Sequence, residues 1–114
     1  MITMYISNNR SSRNARQFFD EYQIPVMQIK ISSKLTEDEM IDILEKNPDE
    51  VTSILSIKSD SVRSLVHRFD HLRLSELVKI LISDPKLIKT PIIFDDKRFL
   101  AGYNSEDIRA FLPR

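Results

Sequence analysis

The two ends of this chain constrain its fold more than anything between them. Ile2 to Ile6 is a strand pattern opening almost at the first residue, and Val26 to Ile31, after the break at Ile24-Pro25, is a second. Between them Ala15, Phe18, Phe19 and Tyr22 recur at helical spacing, with Arg13, Arg16 and Asp20 on the opposite side. That predicts a helix of about three turns with one apolar face. At the other end, Ile92 to Phe94 and Arg98 to Leu100 are short runs joined by Asp95-Asp96-Lys97, a hairpin by composition. Asn104 or Ser105 then caps a last helix whose apolar side is Ile108, Phe111 and Leu112. A strand-helix-strand start and a hairpin-helix end call for an α/β unit on one mixed sheet.

The middle is helical by pattern. Thr36 and Glu39 form a capping box, with Leu35 and Met40 as the hydrophobic staple around it, and Asn47-Pro48 stops that helix. Ile54-Leu55 suggests a short helix, Val62, Leu65, Val66 and Phe69 a second, and Leu77, Ile80 and Leu81 a third that ends at Ser83-Asp84-Pro85. The expected fold is α/β: a thioredoxin-like mixed four-stranded sheet, β-α-β … β-β-α, with a helical insertion between the second and third strands. The sheet part is expected over about 1–33 and 88–114 and the insertion over about 34–87, all within a single domain of 114 residues.

In a fold of this kind chemistry belongs at the first strand-to-helix loop, here Asn9-Arg10-Ser11-Ser12. The chain has no cysteine, so it has no thiolate to attack with, no disulfide to form and no soft metal ligand. One glycine is too few for a glycine-rich phosphate cradle. Lys and Arg number 17, as do Asp and Glu, so no net field favours nucleic acid and any DNA contact needs a local patch. No apolar run approaches the roughly 20 residues of a membrane span, and the start lacks a signal-peptide core. A cytoplasmic location without membrane contact is the expectation.

Each candidate group has an ordinary structural reading beside the functional one. Arg10, Arg13 and Arg16 cluster at a helix N-terminus, where N–H groups favour anions, but a capped, solvated helix face explains them as well. Ser12 stands where a nucleophile could, yet neither histidine is near it in sequence to act as a base. His67 and His71, with Asp70 adjoining, have metal-ligand spacing, but a metal site usually needs at least three ligands, and no metal or other cofactor is expected. Asp95-Asp96 is turn chemistry before it is a carboxylate pair. The acidic residues Asp38, Glu39, Asp42, Glu45 and Asp49, within the stretch from Glu37 to Glu50, form a solvated face or a surface for a basic partner.

The run Lys89-Thr90-Pro91-Ile92-Ile93-Phe94-Asp95-Asp96-Lys97-Arg98 carries a family resemblance, as do Gly102-Tyr103-Asn104, Asp107-Ile108-Arg109 and Phe111-Leu112-Pro113-Arg114. Met1-Ile2-Thr3-Met4-Tyr5, Ser7, Arg13, Ala15-Arg16, Ile24-Pro25, Leu35-Thr36 and Asp38-Glu39 follow the same family order. The chain resembles the Spx family, bacterial transcription regulators that share their fold with the glutaredoxin-linked arsenate reductases. The resemblance implies binding to the C-terminal domain of the RNA polymerase alpha subunit, and a Cys-x-x-Cys redox switch at the start of the first helix. Asn9 and Ser12 hold the two cysteine positions, so the resemblance is to a member lacking the switch. Thr90 stands where members often have arginine, before a proline (Pro91) that thioredoxin-like folds keep cis, and a glycine important for the alpha contact falls near Glu50.

Two readings follow. The first is a regulator docking on the alpha subunit through Arg10, Arg13, Arg16 and the Glu50 turn. In that complex Lys58, Arg63 and Arg68 would lie near DNA phosphate, while DNA binding by the chain alone would be weak. The second is a catalytically dead relative of arsenate reductase, holding a small oxyanion at the Asn9–Arg13 turn or binding another protein partner.

Overall fold

The structure, a computed structural model, describes residues 1–32, 34–56 and 72–113. It divides into two compact units, Met1–Lys30 with Thr90–Arg114, and Ile31–Lys89.

The first unit is built on a four-stranded sheet in the order β2-β1-β3-β4, formed by β1 (Ile2–Ile6), β2 (Val26–Lys30), β3 (Ile92–Phe94) and β4 (Phe99–Ala101). β1 runs parallel to β2, with Met4 opposite Gln28, and antiparallel to β3, with Met4 opposite Ile93. Strand alternation therefore sends Ile2, Met4 and Ile6 to one face, where α1 (Arg10–Glu21) lies. Ala15 and Phe19 of α1 close on Met4 and Ile93, and Ile108 and Phe111 complete this core. The other face carries an aromatic ladder: Tyr5 stacks on Phe94 at 6.1 Å between centroids, and Phe94 on Phe99 at 6.0 Å. The Asp95 carboxylate accepts from the N–H groups of Lys97 and Arg98, which makes the β3–β4 link a side-chain-mediated turn.

Three expectations for this unit need correction. β2 stops at Lys30, one residue short of the Ile31 that the pattern gave as its end. β4 covers Phe99–Ala101, one residue later than the pattern suggested, because Arg98 belongs to the turn. The closing helix is a 3-10 turn over Asp107–Phe111, not an α-helix. Asn104 captures the N–H groups of Glu106 and Asp107 on one side. On the other, Pro113 holds Leu112 in extended geometry, so little more than one turn fits between. Gly102, the one glycine of the chain, takes φ 83° there and donates to the carbonyl of Pro91 at 2.7 Å.

In the second unit α2 (Glu37–Lys46) starts at the expected capping box, with Thr36 Oγ1 and the Glu39 side chain each accepting from the other's backbone N–H. Leu35 and Met40 are both buried, as the staple requires. α2 packs against α3 (Leu74–Ser83), whose buried side is Leu77, Val78 and Leu81. Ile54 ends a 3-10 turn, Val51–Ile54, but Leu55 does not continue it: it bridges antiparallel to Ile88. The expected helix around Val62, Leu65, Val66 and Phe69 lies outside the described residues.

Candidate functional site

The loop that leaves β1 ends at Asn9, which caps α1. Its Oδ1 accepts from the backbone N–H of Ser12 at 2.8 Å, so the helix begins with one exposed donor satisfied by a side chain. The other end of the same carboxamide reaches a different part of the chain. Nδ2 donates to Thr90 Oγ1 at 2.8 Å and to the Thr90 carbonyl at 3.2 Å. Thr90 Oγ1 also bonds Ser7 Oγ at 2.6 Å, across a separation of 83 residues, and Thr90-Pro91 is a cis peptide. Ser7 in turn donates its backbone N–H to Ser12 Oγ at 3.1 Å. Ser7, Asn9, Ser12 and Thr90 thus make one closed polar knot between the start of α1 and the entry to β3.

This arrangement limits the chemistry. Ser12 is 0% exposed, its oxygen accepts from a backbone N–H, and no base is bonded to it among the described residues. A serine so placed is shielded from substrate, and nothing among the described residues activates it. No cluster of His, Asp or Glu suited to a metal ion occurs among the described residues.

Arg10, Arg13 and Arg16 are all exposed on α1. Arg13 is tied back to the loop by Nη1 donating to the Asn8 carbonyl at 3.3 Å, and a shallow groove along the helix is lined by Arg13, Arg16, Gln17 and Asp20. Glu50 belongs to the other unit. Its carbonyl accepts from Asn47 Nδ2 at 3.2 Å and from Ser53 Oγ at 2.7 Å, which pins the turn, while its side chain is exposed. Its backbone is extended, φ −66° and ψ 154°, a conformation open to any residue. Lys58, Arg63, Arg68, His67 and His71 lie outside the described residues. The bond network of Ser7 and Thr90 had no signal in the sequence, because its partners are brought together only by the sheet.

Comparison with known proteins agrees with this geometry. The ArsC family pattern matches residues 4–111. Over 116 aligned positions the chain is 38% identical to the global transcriptional regulator Spx of Listeria monocytogenes and 39% identical to that of Staphylococcus epidermidis. In both cases the match takes in 100% of this chain and 88% of the relative. Among solved structures, a Staphylococcus aureus protein determined by solution NMR superimposes with a TM-score of 0.79 at 23% identity, covering 99% of this chain and 100% of that one. An arsenate reductase from Vibrio cholerae gives 0.72 at 18% identity, covering 97% and 94%. These two likenesses establish the fold.

Proposed function

This chain belongs to the ArsC family, on its Spx branch, and we propose that it is a transcription regulator acting as a binding module without a thiol switch, and not as an enzyme. The carrying observation is the closed knot at the first loop. Asn9 and Ser12 hold the positions of the missing cysteine pair, one as a cap bonded to Thr90, the other as a buried hydroxyl. Neither can be oxidised to a disulfide or attack arsenic. The Asn9 carboxamide already occupies the Ser12 N–H, which leaves an oxyanion at the Asn9–Arg13 turn fewer free donors and weighs against the carrier reading.

The proposed partner is the C-terminal domain of the RNA polymerase alpha subunit, met by Arg10, Arg13 and Arg16 and by the turn carrying Glu50. An extended backbone at Glu50 does not need glycine for its own sake. A glycine in that position would serve the partner's close approach, and Glu50 is then an obstacle. With charges balanced at 17 and 17, the chain alone releases few counterions on DNA, so Lys58, Arg63 and Arg68 act only within the complex. Residues 1–114 are proposed to work as one domain, in the cytoplasm.

Titration of the purified alpha domain against this protein tests the reading. Binding is expected, equal in diamide and in dithiothreitol, weakened roughly three- to tenfold by Arg13→Ala and strengthened by Glu50→Gly. Absence of binding removes the partner, and a diamide-sensitive affinity removes the redox-blind mode. If both variants bind like the parent protein, the interface lies elsewhere.

A further inference from the structure

β2 is an edge strand with β1 as its one neighbour. Among the described residues, no backbone hydrogen bond from residues 26–30 reaches beyond that ladder. None of the five residues of β2 is buried, and Met27 is 49% exposed. Such an edge presents a row of unpaired N–H and C=O groups, which proteins commonly block with charge, proline or a bulge. Here the protection is slight: Pro25 precedes the strand and Lys30 is its single charge.

We propose that this edge pairs with itself, β2 of a second copy adding antiparallel about a two-fold axis at Gln28. The sequence Val26-Met27-Gln28-Ile29-Lys30 is self-complementary in that register. Gln28 faces its own copy, Met27 faces the partner's Ile29 as an apolar pair on one side of the sheet, and Val26 faces the partner's Lys30. Lys30 and the partner's Lys30 then stand roughly 14 Å apart, beyond the ~10 Å screening length at 0.1 M salt.

Neighbouring registers that keep like faces together are worse. Centring on Met27 puts Pro25 opposite the partner's Ile29, and proline cannot donate to the ladder. Centring on Ile29 brings Lys30 and the partner's Lys30 to within roughly 8 Å. It also draws in Ile31, which is only 8% exposed. The Gln28 register alone uses the whole strand. Its two-fold is isologous and closed, so it makes a dimer and not a fibre. Because α1 lies on the Met4 face, the axis places both α1 helices on the same side of the joined sheet, doubling the exposed arginines available to one partner.

A five-residue junction is far smaller than a standard interface, so the dimer is weak, with a dissociation constant on the order of 0.1 mM. Sedimentation equilibrium from about 10 μM to 1 mM spans that range. The parent chain is expected to move from monomer to dimer. Gln28→Glu and Gln28→Lys each set like charges face to face across the two-fold, and each should weaken self-association at least tenfold. An equimolar mixture of the two variants should recover it as a heterodimer. Gln28 is exposed, so both variants are expected to keep the fold, which circular dichroism checks. A parent chain monomeric throughout overturns the proposal. So does a dimer that both variants leave unchanged, since it uses another surface. Variants that weaken association without rescuing one another overturn the two-fold at Gln28.

Discussion

Asn9 serves two neighbourhoods at once. Its oxygen completes the first turn of α1, and its nitrogen holds Thr90 where the chain enters β3. Removing the side chain therefore costs a helix cap and a long-range bond together. Asn9→Ala is expected to lower stability by about 1–2 kcal/mol, and Thr90→Val, which keeps volume but deletes the hydroxyl, by about 1 kcal/mol. If the two groups act through each other, the double variant loses less than the sum, with a coupling of roughly 0.5–1 kcal/mol. Urea unfolding of the four proteins measures this, and strictly additive losses would assign no energy to the Asn9–Thr90 bond.

At the scale of an element, the far end of α1 shows a compromise. Gln23 sits at φ 54°, donating to the Asp20 carbonyl, while Ile24 donates to the Phe19 carbonyl at 2.9 Å. This pair of bonds is the Schellman stop, and its left-handed position normally carries glycine because a Cβ is crowded there. The stop is useful here because it turns the chain directly towards Pro25 and β2, with Ile24 folding back against the core that holds Phe19. Gln23→Gly should relieve the crowding and raise stability by roughly 0.5–1 kcal/mol, part of the gain being offset by the freer unfolded chain. A thermal unfolding midpoint that stays put or falls would show that the Gln23 side chain compensates in some other way.

Across the whole molecule each compact unit has its own buried interior, and each interior contains a methionine. Met4 and Met40 are both 0% exposed, whereas Met27 is 49% and Met1 83% exposed. In a chain without cysteine these four thioethers are the sulfur that an oxidant can reach. Mild peroxide at low protein concentration should convert Met1 and Met27 to sulfoxides first, while Met4 and Met40 react only when their unit opens. Peptide mapping by mass spectrometry, with time points before and after denaturant is added, resolves the order. Early oxidation of Met40 together with a silent Met4 would mark Ile31–Lys89 as the less stable unit.

Local chemistry was legible from the chain alone. The Thr36–Glu39 box, the Asp95 turn, the helix stop at Asn47-Pro48 and the strand at Ile2–Ile6 each depend on groups a few residues apart, and all stand where their spacing put them. The absence of any thiol was equally plain, since composition alone excludes it. Tertiary structure decided the rest. It set the 3-10 closure at Asp107–Phe111, the bridge of Leu55 to Ile88, and above all the bonds from Ser7 and Asn9 to Thr90. Those two partners are over 80 residues from Thr90, and only the pairing of β1 with β3 brings them within reach. Periodicity and capping report on neighbours in sequence. A polar knot between distant loops has no period, so nothing short of the assembled sheet could reveal that the start of α1 and the entry to β3 are tied together by an asparagine and a threonine.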